Sequence, residues 1–185
     1  MNTNIVTYTG KVFDLLKPKP EMVCIEDIAH SLAYQCRYTG HVKLFYSVAQ
    51  HCVLMAKNEG LPGDPLKKLL HDAAEAYIGD MARPWKQLLL INIPSKGFDT
   101  VSYFECKIQK VIGEALGVDL SHSAEVEKSD NIMLATEIRD LMPKMPSDFA
   151  WGVVLSSIVA VKEIINPWRP ECAEERFLNT YHQIT

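Results

Sequence analysis

The stretch Leu69-Leu70-His71-Asp72-Ala73-Ala74-Glu75-Ala76-Tyr77-Ile78-Gly79-Asp80 puts an imidazole and three carboxylates into one short run of mainly apolar residues. On a helix, His71 and Glu75 stand four apart and Asp72 and Glu75 three apart, so all three share one face. The apolar neighbours imply burial, where an unpaired carboxylate costs roughly several kcal/mol unless a partner or a cation neutralises it. A divalent metal would meet that need. His51 lies in Tyr46-Ser47-Val48-Ala49-Gln50-His51-Cys52-Val53-Leu54-Met55, too apolar for a solvated surface helix, and is a candidate first ligand. Asp130 shares a helical stripe with Leu134, Ile138 and Leu141, which points its carboxylate toward a core. Each also has a plain structural reading: His51 as a hydrogen-bonded core histidine, Asp130 as the cap of a helix beginning at Asn131. Taken together, two imidazoles and two carboxylates suit Mg²⁺, Mn²⁺, Fe²⁺, Co²⁺, Ni²⁺ or Zn²⁺ and do not choose among them. Such a site leaves positions for water and a phosphate oxygen and needs no nucleophilic side chain.

Helices must carry these residues. The spacing of Ile25, Ile28, Ala29, Leu32, Ala33 and Cys36 predicts a first helix that stops before Gly40, and a second runs from about Ser47 to Asn58. For the third, Asp64 is the expected N-cap, Pro65 the first helical residue and Gly79 the stop. Asp99 is a candidate cap for a fourth helix with a stripe from Phe104 to Leu116, ending at Gly117. A fifth spans about Ala124 to Leu141 and a last one Ala173 to His182. Residues Trp151 to Ile165 fit helix, strand or both. Two short strands near Lys11 to Leu15 and Lys162 to Ile165 are compatible with one β-hairpin joining the N- and C-terminal regions. The expectation is an all-α helical bundle, a single domain over residues 1–185.

The 185 residues are 48% hydrophobic and carry a formal net charge of -4, which supports a buried core but gathers no extended nucleic acid by charge alone. A small molecule is the expected partner. The N-terminus lacks the pattern of a secretory signal, and no stretch reaches the roughly 18 apolar residues of a membrane span. A soluble, cytoplasmic protein without membrane contact is therefore expected, with homo-oligomerisation left open. Five scattered cysteines argue against a disulfide framework or a thiolate zinc site and read as reduced, mostly buried thiols.

The order His51, His71-Asp72, Asp130 resembles the H…HD…D signature of the HD-domain metal-dependent phosphohydrolases. The surroundings strengthen the likeness: Cys36-Arg37-Tyr38-Thr39-Gly40-His41, Phe45 to His51, His71 to Tyr77 through Asp80, Pro84-Trp85-Lys86, and Asp130 to Glu137 are similar to the small bacterial and phage branch. The likeness covers roughly Tyr8 to Leu141. Relatives in that family include 5'-deoxynucleotidases, phage deoxynucleoside triphosphate hydrolases and the oxetanocin-A biosynthetic phosphohydrolase. The resemblance implies an HD bundle and a hydrolase that removes phosphates from nucleotides or nucleotide analogues. It makes His51, His71, Asp72 and Asp130 the metal ligands. Glu75 and Asp80 become acidic residues that orient or activate water, or help hold a second metal near Asp72 and Glu75. Arg37 matches a phosphate contact and Lys86 a basic position after the His-Asp helix. For Arg37 a helix-terminal cation is the structural alternative, and for Tyr38 a core or rim aromatic rather than a base-stacking one. His41 fits a phosphate contact or a loop hydrogen bond. The competing functions are a triphosphohydrolase releasing tripolyphosphate and a non-catalytic nucleotide sensor. A di-iron oxygenase would need further ligands that His30, His41, His122 and His182 do not supply in pattern.

Overall fold

The computed structural model describes residues 2–93, 96–144 and 157–185. Strands β1 (Asn4–Val6) and β2 (Val12–Asp14) are followed by α1 (Ile25–Tyr34), α2 (Val48–Lys57), α3 (Pro65–Leu70), α4 (Glu75–Ile78) and α5 (Arg83–Leu88). Strands β3 (Leu90–Ile93) and β4 (Gly97–Thr100), then α6 (Val101–Leu116), α7 (Ala124–Leu141) and α8 (Pro170–Ile184) complete the order. The chain is mostly helical, with two small two-stranded sheets among the described residues where one hairpin was allowed for. No described helix is long and apolar enough to cross a membrane.

Local chemistry accounts for most boundaries. Ser47 caps α2 by accepting the Gln50 N–H, Asp64 caps α3 through the Lys67 N–H with Pro65 behind it, and Ser123 caps α7 through Val126. Gly117 closes α6 in the left-handed region, at φ 68°. The cap of α6 is Thr100, which accepts the Tyr103 N–H, and not Asp99, whose carboxylate pairs instead with Lys96 at 2.9 Å. Asp27, on the first turn of α1, is buried because Thr7 and Thr9 satisfy it, their hydroxyls donating at 2.8 and 3.0 Å and the Thr9 N–H at 2.7 Å. This ties the N-terminal hairpin to the helix.

Helices α1, α2 and α8 pack on one another, and α3 packs on α2, around a core that includes Phe13, Ile28, Leu32, Leu70, Ile112 and Phe177. A smaller cluster, with Tyr46, Met55, Met133 and Leu141, fastens α7 against α2. The chemistry-bearing residues lie where α2, the α3–α4 segment and α7 meet.

Several sequence expectations change. Residues Lys11 to Leu15 do supply a strand, but its partner is β1, Ile5 opposite Phe13, and not Lys162 to Ile165, which form neither helix nor strand. Of Trp151 to Ile165, residues 151–156 lie outside the described ones, and 157–165 carry no regular element. Hairpin β3–β4 was not anticipated. Asp130 is mid-helix, so it is no cap, and the buried stripe of α7 is Val126, Ser129, Met133, Thr136, Glu137 and Leu141, which leaves Asp130 at its edge. Cys52 is buried, Cys106 is exposed, and Cys24, Cys36 and Cys172 are in between, so the thiols are free but not mostly buried.

The expected helix from Pro65 to Gly79 is broken at His71–Ala74. In a continuous helix the Ala74 N–H would donate to the Leu70 carbonyl. Here the side-chain amide of Gln109, on α6, stands between them: its Nε2 donates to Leu70 O at 2.6 Å and its Oε1 accepts the Ala74 N–H at 3.0 Å. The turn tightens around this insertion, with Ala73, Glu75, Ala76 and Tyr77 each donating three residues back. The break falls on the His-Asp pair.

Candidate metal centre

His51, on α2, is wholly buried, and its Nδ1 lies 2.6 Å from Oε1 of Glu137 on α7. A carboxylate only accepts, so Nδ1 carries the hydrogen and Nε2 presents its lone pair. His71 follows the same logic: its Nδ1 faces the Lys68 carbonyl at 2.9 Å, which again frees Nε2. The two Nε2 atoms are 3.3 Å apart. Asp72 Oδ2 is 3.1 Å from the Nε2 of His71 and 3.9 Å from that of His51, and Asp130 Oδ1 is 3.2 Å from the Nε2 of His51. With metal–ligand bonds of about 2.1 Å, neighbouring donors sit about 3.0 Å apart in an octahedron and about 3.4 Å in a tetrahedron. Three of the four separations match. His51, His71 and Asp72 make the tight group that could hold an ion, and Asp130 joins at one edge. Side-chain exposure rises from 0% at His51 to 41% at Asp130, so the centre is closed behind and open toward α7.

Electrostatics point the same way. Burial pushes the His71 imidazolium down, but the adjacent Asp72 more than offsets it and holds the group well above its ordinary value. His51 is likewise raised: burial and Arg37 oppose its charge, while Glu137 and Asp130 favour it more. Burial alone would raise Asp72, yet His71, His51 and Arg37 hold it far below the usual carboxylate range. Asp130 is lowered through its contact with His51, against burial. These carboxylates demand positive charge between them, and a divalent ion supplies it without protonating either imidazole.

Behind the ligands, Glu137 is wholly buried and gathers four groups. Besides His51 it accepts from the Tyr46 hydroxyl at 2.9 Å and from the Tyr38 hydroxyl, and it lies 3.3 Å from Arg37 Nε without hydrogen-bond geometry. Its charge persists because Arg37 and His51 outweigh burial. Tyr38 and Thr39 have φ of 57° and 54°, in the left-handed region that costs roughly 1–2 kcal/mol per non-glycine residue. The Tyr38–Glu137 contact and the His41 N–H donating to Tyr38 O at 3.0 Å hold that turn.

Arg37 places Nη1 3.3 Å from Asp72 Oδ2, and its side chain is 12% exposed. Tyr38 therefore serves Glu137 in this arrangement. His41 is exposed and, among the described residues, lines neither of the two clefts that reach Asp72. On the other side, Glu75 Oε1 lies 3.2 Å from Lys86 Nζ, which also reaches Glu105 Oε1 at 2.5 Å. Burial, Asp72 and Asp80 push the Glu75 carboxyl well up, and burial raises Asp80. Lys86 stays charged above its ordinary value, because Glu75 and Glu105 outweigh burial. Gln35 ties this end together, donating to Glu75 O at 3.1 Å and accepting the Asp80 N–H at 2.7 Å. A cleft of about 880 Å³, lined in part by Asp72, Glu75, Lys86, Glu105 and His122, opens beside the ligands. A second of about 480 Å³ reaches His71, Asp72 and Asp130. Both are within the size range of small-molecule sites.

The structure thus brings together His51, His71, Asp72, Asp130, Arg37, Glu75 and Lys86, with Tyr38 and Asp80 alongside, and leaves His41 out. Sequence reasoning gave no role to Glu137, Tyr46, Gln35, Glu105 or Gln109. Glu137 had one signal, its place two helical turns after Asp130.

No family model matches the chain. The uncharacterized protein YfdR of Escherichia coli K12 is 37% identical over 184 residues, covering 98% of this chain and 95% of the relative. The uncharacterized protein RCAP_rcc00048 of Rhodobacter capsulatus is 42% identical over 87 residues, 42% of this chain and 44% of that protein. With near-complete coverage at that identity, the chain belongs to the family of YfdR.

Proposed function

We propose that this protein is a divalent-metal-dependent phosphohydrolase of the HD type that removes phosphate groups from nucleotides or nucleotide analogues. The observation that carries the reading is the pair of Nε2 atoms 3.3 Å apart, each with its Nδ1 committed to an acceptor and each beside a carboxylate oxygen. With both Nδ1 atoms committed, the close Nε2 pair is satisfied only by a proton on one ring or by a cation between them, and a divalent ion leaves both imidazoles neutral. The H…HD…D order and the residues around it support the HD assignment.

His51, His71, Asp72 and Asp130 would hold the ion. When bound, it would act as a Lewis acid toward a phosphate oxygen and lower the pKa of a water. The chain's own residues do the rest. Arg37 offsets the charge of Asp72 from within the protein, and Lys86 places a fixed positive charge in the cleft where an anionic phosphate would lie. Glu75, buried at the cleft wall with its Oε2 unbonded, is placed to take and return a proton there.

The Asp72→Asn variant tests this directly. It keeps the shape of the side chain and removes the charge, so cobalt bound after dialysis and hydrolysis of nucleoside monophosphates should both collapse. Retention of both by a folded variant would contradict the assignment.

A further inference from the structure

We propose that Lys86 is a resident second cation of this centre, clamped in place by Glu105, so that the chain takes one divalent ion where Glu75 and Asp72 would otherwise help hold two. The proposal rests on the metal-centre reading above and deepens it. Glu75 and Glu105 approach from different elements, α4 and α6, and both line the large cleft with Asp72. Between them stands the Lys86 ammonium, 3.2 Å from one carboxylate and 2.5 Å from the other. Its side chain is only 19% exposed, and those of Glu75 and Glu105 are 8% and 21% exposed.

Among the described residues Glu75 Oε2 is buried and has no hydrogen-bond partner, although its sister oxygen meets Lys86. Carboxylate oxygens are the ligands a hard divalent ion takes, and one of them here is buried and unused. The ammonium already occupies the space between the two carboxylates. A divalent ion brought within about 4 Å of it would meet strong like-charge repulsion at the low effective dielectric of a partly buried site. Glu105 gives Lys86 the shorter of its two contacts and stands one helical turn before Gln109, so the same face of α6 shapes the His-Asp turn and fixes this charge. Glu105 acts through Lys86 and is a positioning residue.

Counting ions tests the idea. The metal-stripped, full-length protein is dialysed to equilibrium against Co²⁺ or Mn²⁺, and bound metal per chain is measured by elemental analysis. The wild type should hold one ion. Lys86→Met, which keeps the stem and removes the charge, should hold two at high metal, with the spin-coupled spectrum of an Mn²⁺ pair. Lys86→Arg should return to one. Two ions on the wild type, or one on a folded Lys86→Met, would overturn the proposal and leave the metal centre standing. No ion on the wild type would remove the centre itself and this proposal with it. Should Lys86→Met fail to fold, Lys86→Gln is counted in its place, with the same two outcomes.

Discussion

At the scale of single residues, Glu137 organises the centre without being one of its proposed ligands. It fixes the tautomer of His51, receives two tyrosine hydroxyls and balances Arg37, all at full burial. Removing an outer carboxylate of this kind typically lowers metal affinity about 10–100-fold. Glu137→Gln should therefore weaken Co²⁺ binding by about that factor while circular dichroism reports an intact helical fold. Unchanged affinity in the folded variant would mean that His51 is oriented by packing alone. The proposed ligands were legible in the sequence because His51 and the His71-Asp72 pair lie in apolar runs, where such groups are costly unless compensated, and because Asp130 completes the order on which the HD resemblance rests. Glu137 was not. A glutamate in a helix usually faces water, and only the arrival of α2 and the Tyr38–Thr39 turn from elsewhere in the chain makes it a buried acceptor.

At the scale of elements, the His-Asp segment is presented by a helix that Gln109 holds open. The amide satisfies both the Leu70 carbonyl and the Ala74 N–H, the two groups a continuous helix would join. Gln109→Leu removes both bonds, and each buried polar group left unpaired costs about 1–3 kcal/mol. The chain can recover by closing the helix, which rotates His71 and Asp72 away from His51. The variant should bind Co²⁺ more weakly and alter its visible absorption spectrum. An unchanged spectrum and affinity would separate the helix break from the geometry of the centre. Caps and periodicity placed α2, α3 and α7 to within a residue or two at the ends they define, because Ser47, Asp64 and the run to Leu141 act locally. The break was invisible because its cause lies 35 and 39 residues away along the chain. Hairpin β3–β4 escaped for a related reason: its strands are four residues each, too short for alternation to stand out from the flanking helices.

At the scale of the whole molecule, two packed regions meet along the line where the site forms. The larger core fixes α1, α2, α3 and α8, and the smaller cluster sets α7 against α2. His51 and His71 stand on elements packed into the larger core, while Asp130 and Glu137 come from α7, so the geometry depends on how α7 is seated. A net charge of -4 offers no general attraction for polyanions, and Arg37 and Lys86 are each already paired with carboxylates, so the proposed ion is the charge that would draw an anion to the cleft. That contrast fits a small phosphorylated ligand drawn into one place better than an extended nucleic acid. The sequence conveyed the proposed ligands, the helical character and this charge balance, but not how two packed regions would be joined across a single centre. The most direct test of the account is turnover of a panel of nucleoside mono-, di- and triphosphates by metal-stripped protein, with and without Mg²⁺, Mn²⁺, Co²⁺, Ni²⁺ or Zn²⁺, and with products separated chromatographically. The account predicts phosphate release that appears only when metal is restored. Silence across the whole panel from protein with metal bound would contradict it.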